Sequence, residues 1–304
     1  LKSLILNEDW FEKFTNYAIR HGKAHDESFT SKNDMERFVL GGKNPTLLIV
    51  DDEEQEILGA ASLIYHSYFL RGNRSRLRLF HCLKDNPDWK QAYETLTAFV
   101  KEELVQAQLD HAFLFMPLKE KETIKFFESL DFQVERYTLY MERSTQNVKP
   151  FTFPQKMHLK DFSIGKDETT WLEIRNKAFS NLTGNDTPLS LEEFTKFISG
   201  SDYVDGGMKI LYDEDQPVGI ICLSESDDEE TGNRIGTIGP IAVKEGYRHQ
   251  KLGRNLLRTG LAIAKEKGFS KVGLSVDTQN INAKTLYTDE GFQEMLSLVC
   301  LRIK

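Results

Sequence analysis

A cluster of residues late in the chain has the types and spacing for binding an anion and moving a proton. Arg248, Lys251 and Arg254 crowd one polar turn in the stretch TIGPIAVKEGYRHQKLGRNLL, after the apolar run Ile238–Val243 and at the start of an amphipathic helix. The first amides of a helix have no intrahelical acceptor, and the positive end of the helix dipole adds to their pull on a phosphate. The candidate donors are the backbone N–H groups of His249, Gln250, Lys251, Leu252, Gly253 and Arg254, with Arg248 and Arg254 as flanking charges. Lys251 is read as part of the first helical turn, where a lysine fits. Some thirty residues on stand Asn280 and Tyr287. A tyrosine hydroxyl, with a pKa of about 10, can protonate a leaving group of similar basicity. Taken singly, Asn280 reads equally as a helix cap and Tyr287 as a core residue beside Leu286 and Phe292. A base is harder to find. Glu225 ends an apolar strand, but the run from Asp227 to Glu230 beside it reads as a solvated hairpin tip.

These residues need a strand, a turn and two helices to hold them, and the sequence supplies that order twice. Helical spacing of Trp10, Phe14 and Ala18 opens the chain, and a second short helix follows around Met35–Leu40. Next come strands at Thr46–Val50, Ile57–Tyr65 and Leu77–Leu83, a helix at Trp89–Leu109, a strand at Ala112–Met116, a helix at Lys121–Leu130 and a closing strand at Phe132–Met141. Residues 145–156 hold two prolines and no periodicity, which marks a linker between domains 1–144 and 157–304. The second half then runs through helices at Trp171–Phe179 and Leu191–Ile198 and a hairpin, Met208–Tyr212 with Val218–Leu223.

The repetition holds a constant offset of 160 residues. Gly72-Asn73-Arg74 falls on Gly232-Asn233-Arg234, Leu96 on Leu256, Leu114 on Leu274, and Phe132-Gln133 on Phe292-Gln293, without a gap. Two copies of one fold follow. In that register Arg248 stands opposite Asp88, Gly253 opposite Tyr93, Asn280 opposite Glu120, Tyr287 opposite Phe127 and Gly291 opposite Asp131. The first copy would repel the phosphate that the second attracts. It is expected to bind no cofactor, and the chemistry is expected in the second.

The paired motifs resemble the GCN5-related N-acetyltransferase (GNAT) family. Ile241-Ala242-Val243 followed by Arg248-His249-Gln250-Lys251-Leu252-Gly253 is similar to the family's strand and Arg/Gln-x-x-Gly-x-Gly/Ala turn, with Lys251 at the first glycine. LSVDTQNINAKTLYTDEGF, Leu274–Phe292, is similar to its later signature. The resemblance implies two tandem α/β domains, each a mixed, mostly antiparallel twisted sheet flanked by helices. It also implies acetyl-CoA as co-substrate and a primary amine, on a small molecule or a peptide, as acceptor. Pyrophosphate would sit on the amides of His249–Arg254, pantetheine along Ile241–Val243 and near Asn280, and Tyr287 would be the acid. Arg175, Asn176 and Asp186 are candidate acceptor contacts. WLEIRNKAFS, Trp171–Ser180, is faintly similar to mycothiol synthases, which leaves an aminothiol or amino-sugar acceptor open. A CoA-holding regulatory module without turnover is the other alternative.

Composition narrows the partners. A net charge of −8 argues against nucleic acid, and no apolar run approaches the roughly 18 residues of a membrane span. Cys82, Cys222 and Cys300 are isolated and set in apolar runs, and the first residues carry no leader pattern, so a reducing, cytoplasmic setting is expected. The histidines show no metal-ligand spacing, so no metal is expected. The expected state is a monomer or homodimer.

Overall fold

The structure, a computed structural model, describes residues 1–22, 29–53, 56–227 and 234–304. Its elements are β1 (Lys2–Ile5), α1 (Glu8–His21), α2 (Lys32–Glu36), β2 (Thr46–Val50), β3 (Ile57–Ile64), α3 (Ser67–Arg71), β4 (Arg74–Cys82), α4 (Trp89–Gln106), β5 (His111–Pro117), α5 (Lys121–Ser129) and β6 (Gln133–Ser144). They continue with β7 (Met157–Asp161), α6 (Glu168–Phe179), α7 (Leu191–Ile198), β8 (Tyr203–Asp213), β9 (Gln216–Asp227), β10 (Arg234–Val243), α8 (Leu252–Glu266), β11 (Lys271–Asp277), α9 (Ile281–Asp289) and β12 (Gln293–Ile303). The offset read from sequence reappears in the element bounds. Moving β5 and α5 by 160 residues lands them on β11 and α9 residue for residue. Gly232 and Asn233, which also marked the register, lie outside the described residues, as does the run Asp228–Glu230.

Two compact units result, one made of Leu1–Tyr137 with Ser297–Lys304, the other of Thr138–Leu296. In the first, the strand order is β1-β2-β3-β4-β5-β12. β2 is buried along its whole length, as a run without polar alternation requires. α4 packs Leu96, Val100 and Leu104 on one face of this sheet, with Leu63, Leu77 and Leu114. α1 packs Trp10, Phe14 and Ala18 on the other, with Leu48 and Leu79.

In the second unit the order is β6-β11-β10-β9-β8-β7. α8 covers one face with Leu252, Leu256, Leu257 and Leu261. α6 and α7 cover the other with Trp171, Ile174, Phe194 and Ile198 against Met208, Ile210 and Ile220.

The unit boundary departs from a division at residue 144, because each unit closes with a strand from the other half of the chain. Residues 138–144 of β6 pair antiparallel with β11, from Thr138↔Asp277 to Ser144↔Lys271. Residues 298–303 of β12 pair with β5, from Leu298↔Pro117 to Ile303↔Ala112. Thr145, read as linker, is buried and donates its hydroxyl to the Phe269 carbonyl at 2.6 Å.

This exchange makes the last strand part of the first unit's core, since Val299, Leu301 and Ile303 join the cluster under α4. Leu301 is 0 % exposed, so Leu301→Ala should cost about 2–5 kcal/mol. Hydrogen exchange locates the effect: the β5 amides lose protection while those of β9 and β10 keep theirs.

Candidate active site

β10 positions the site by leaving its neighbour. It pairs in parallel with β11 at only Gly236↔Val272 and Thr237↔Gly273. Against β9 it continues to Val243↔Gly219, with a register shift between Ile238 and Ile241. Gly239, at φ +149°, and Pro240, which has no N–H to offer a ladder, occupy that shift. Beyond Thr237 the β11-facing edge of β10 has no strand partner among the described residues. Ile241 and Val243 lie half-buried there, and Ala242 is 5 % exposed on the opposite core.

The chain leaves β10 through a single 3-10 turn, Glu245–Tyr247, and enters α8 by an uncapped start. Two other helices of this unit are capped: Ser190 and Glu193 form a reciprocal capping box on α7, and on α9 the Asn280 side chain accepts the Ala283 N–H at 3.2 Å. α8 has Lys251 as its N-cap residue and no side-chain acceptor. The first amide with a backbone acceptor is that of Asn255, on the Lys251 carbonyl at 3.0 Å. Among the described residues the N–H groups of His249, Gln250, Lys251, Leu252, Gly253 and Arg254 have no hydrogen-bond acceptor. A Cβ added to Gly253 would meet nothing within 4 Å, so the approach to these amides is open.

Two expectations change here. Lys251 is not in a helical turn but in the left-handed region, at φ +62° and ψ +8°. His249 is left-handed too, at φ +65°. Such a conformation costs an L-residue roughly 1–2 kcal/mol, and it explains why a glycine suits that position. Arg254 does not flank the turn as a free charge. Its guanidinium binds Asp289 at 2.9 Å and Glu290 at 2.8 Å, contacts that raise its pKa. Arg248 remains at the turn, exposed, with its Nε 3.4 Å from the Val243 carbonyl.

The contacts of Glu290 form a clamp that sequence reading missed. Its carboxylate, 1 % exposed, accepts from Arg254 and from both Nε and an Nη of Arg258, at 2.7–2.9 Å. Its carbonyl accepts from Arg143, and Arg258 also donates to the Pro150 carbonyl at 2.9 Å. Burial alone would raise the Glu290 pKa, but the hydrogen bonds from Arg258 and Arg254 hold it below the ordinary range. The clamp ties α8, which carries the anion turn, to the end of α9, which carries Tyr287. The register comparison held the signal: Arg254, Arg258 and Glu290 stand opposite Glu94, Ala98 and Leu130.

Tyr287 lies half-buried on the same core cluster as Ile241 and Val243, its ring 5.9 Å from that of Phe292. Burial pushes its hydroxyl up to about 12, and the hydroxyl has no hydrogen-bond partner among the described residues. Its counterpart Phe127 is 0 % exposed and packs on Phe80 and Phe132. Asn280 spends its carbonyl on the α9 cap. Glu225 is ion-paired with Arg234. Of the expected acceptor contacts, Arg175 is 9 % exposed and donates to the Thr187 carbonyl at 3.1 Å, and Asn176 exchanges two hydrogen bonds with Leu189. Both are occupied in holding the loop before α7. No group of three or more metal-ligating side chains occurs among the described residues. No helix there is long and apolar enough to cross a membrane.

Residues 170–292 match the acetyltransferase (GNAT) family model. The second unit resembles the GNAT family over that stretch. Its relatives include mycothiol acetyltransferase of Kocuria rhizophila, 26% identical over 148 residues, which are 47% of this chain and 48% of that protein. The chain thus spans about half the length of such curated relatives. The whole chain shares its fold with solved GNAT structures. A GCN5-related N-acetyltransferase from Sphaerobacter thermophilus superposes with a TM-score of 0.72 at 16% identity, covering 99% of this chain and 94% of that one. A tandem GNAT protein from the clavulanic acid biosynthesis pathway gives 0.67 at 12% identity, covering 99% and 98%. The shared fold therefore covers the first unit as well as the second.

Two measurements test the local energetics of the second unit. Lys251→Gly should stabilise the unit by about 0.5–1 kcal/mol, and Lys251→Ala should not, because only glycine escapes the left-handed penalty. Urea titrations of the two variants decide it. Glu290→Gln should destabilise by about 1–3 kcal/mol at pH 7, because a neutral amide at a position 1 % exposed cannot return all the charged hydrogen bonds from Arg254 and Arg258. Because the folded pKa of Glu290 is depressed, its contribution is present above the unfolded value of about 4.3 and lost as pH falls through the folded value. The gap between wild type and variant should therefore close below about pH 4.

Proposed function

We propose that the chain is an acetyl-CoA-dependent N-acetyltransferase acting on a primary amine, with the donor bound by the second unit. The observation that carries this reading is the run of six amides, 249–254, left without acceptors beside the unpaired edge of β10. Amides and edge together fit a ligand with a diphosphate at one end and an extended amide-bearing arm. The amides would hold the pyrophosphate, with Arg248 and Lys251 adding charge. The edge at Ile241–Val243 would pair with the pantetheine arm as a short added strand, and a free N–H there would polarise the thioester carbonyl. Arg254 acts at one remove, through the clamp that fixes α8. Asn280 caps α9, with its amide NH2 left to face the donor.

Acetyl transfer breaks the C–S bond of the thioester as the amine nitrogen bonds to the acetyl carbon. Tyr287 would give its proton to the departing sulfur, and water would take the proton lost by the amine. A hydroxyl pushed up to about 12 stays protonated across the working range, so it is always present as a donor. Water serves as base because Glu225 is held by Arg234. An acceptor that carries a thiol on an amino sugar is the second reading, favoured by the likeness to mycothiol acetyltransferases.

Calorimetry with 1 mM acetyl-CoA should give saturable heat that Arg248→Glu weakens about tenfold, one charge contact being worth roughly 1.4 kcal/mol. Absence of heat with the wild type would remove the donor assignment. Release of free CoA across a panel of amines tests turnover and names the acceptor class. Tyr287→Phe should lower kcat about 10²-fold with donor affinity intact. The wild-type kcat should rise with pH as the acceptor deprotonates and show no alkaline fall below about pH 11, since Tyr287 keeps its proton there. A descending limb near pH 9 would assign the acid to another group.

A further inference from the structure

The first unit keeps a cavity of about 380 Å³ at the place where the second carries its candidate donor residues. His81 and Cys82 of β4, Leu83 just after it, Tyr93 of α4, Glu120 and Phe127 line it. In the 160-residue register these are the counterparts of Ile241, Ala242, Val243, Gly253, Asn280 and Tyr287. The backbone reason is the same in both units, because β4 pairs with β5 only from Arg74↔His111 to Arg76↔Phe113 and then leaves it. The space has been kept and its chemistry exchanged.

A coenzyme diphosphate does not suit this cavity. α4 begins at Trp89, three residues earlier in register than α8, so the stretch that forms the open amide turn in the second unit is helix here. Trp89 N–H bonds the Asn86 carbonyl and Ala92 N–H bonds that of Asp88, which consumes amides that would otherwise face a ligand. Asp88 replaces Arg248 and Glu120 replaces Asn280. Tyr93 fills the place left open over Gly253. At the mouth a second recess of about 400 Å³ shares Leu83 with the first and carries Asp51, Asp52, Glu56, Asp85 and Asp88.

The wall suits an apolar body next to a cation. Phe80, Tyr93 and Phe127 are at most 2 % exposed, with ring centroids 5.2–5.3 Å apart, and aromatic faces attract cations. The Cys82 thiol, 0 % exposed, lines the cavity and has no hydrogen-bond partner among the described residues. Of the basic groups nearby, Lys84 sits on the Thr123 hydroxyl at 2.9 Å. His21 is stacked on His81, and burial holds its pKa below the ordinary value, which keeps it neutral at pH 7.

We propose that this cavity is a second small-molecule site, one that takes an organic ammonium ion of about a dozen non-hydrogen atoms, its apolar end on the Phe80, Tyr93 and Phe127 rings and its charge at Asp85, Asp88 and Glu120. The size follows from roughly 30 Å³ per atom of that scale. The site does not depend on acetyl transfer, since every residue in it belongs to the first unit.

The test is calorimetric titration of the full chain with 2-phenylethylammonium chloride and with 2-phenylethanol, its neutral isostere, at low salt. The ammonium ion should bind at least about tenfold tighter than the alcohol, one retained charge contact being worth about that factor. Asp85→Asn with Asp88→Asn, both surface changes, should weaken it by about the same factor, and Tyr287→Phe should leave it unchanged. Equal binding of the two probes would overturn the proposal, as would ammonium binding that the double variant leaves intact, which would place the ligand elsewhere. No heat up to about 10 mM would overturn it as well.

Discussion

The molecule is built around strands that part. A parallel pair that separated only by accident would forfeit about 0.5–1.5 kcal/mol for each hydrogen bond not made, and here it happens in both units within one residue of the same position, after Arg76 and after Thr237. The antiparallel ladder on the other side of each strand continues past the parting, which keeps the freed edge extended. In the second unit a glycine and a proline sit at the break in register with β9. An unpaired edge in the middle of a sheet can be reached only by a ligand, a side chain or water. The two units differ in which of these the local residues favour.

How a turn of open amides is made and lost can be read from three residues at the start of α8. A helix that begins at residue 249 would direct its early amides into its own first turn. By turning left-handed at His249 and Lys251, the second unit delays the helix to Leu252 and leaves the amides pointing out. That geometry is bought with backbone strain at two non-glycine residues, a cost that a bound anion would repay. The first unit runs straight into α4 at Trp89, avoids the strain and has no such turn. Charge follows geometry. Asp88 stands where a phosphate ligand would need Arg248, and with Trp89 N–H and Ala92 N–H already bonded fewer amides are left for a cation to assist.

Much of this was legible in the sequence because the repeat supplied an internal alignment. Strand and helix bounds near Thr46, Trp89, Lys121 and Leu191 fall where apolar spacing and turn residues put them. The short strands β1 and β7 and the helix α3 carry too few periods to be seen. The exchange of closing strands was hidden for a different reason. β6 and β12 have like lengths and like apolar patterns, and either would satisfy either sheet edge, so the pattern states that a strand exists without naming its partner. Arg254 was misread in role because residue type reports a charge and not its destination. Only the fold brings Asp289 and Glu290 to it.

That destination changes how the second unit's cations divide their work. Two arginines one helical turn apart meet a carboxylate buried to 1 % exposure, and a buried ion that loses a partner is costly. The pairing therefore fixes the angle and distance between α8 and α9, and with them the relation of the amide turn to Tyr287. Electrostatic preorganisation of this kind works only if its supports do not move when a ligand arrives. Arg248 and Lys251, both exposed at the turn, are left free to meet the ligand. A cation in the first helical turn is thus ambiguous until its neighbours are known: Arg248 can contribute binding because no carboxylate among the described residues claims it, and Arg254 contributes rigidity because two do.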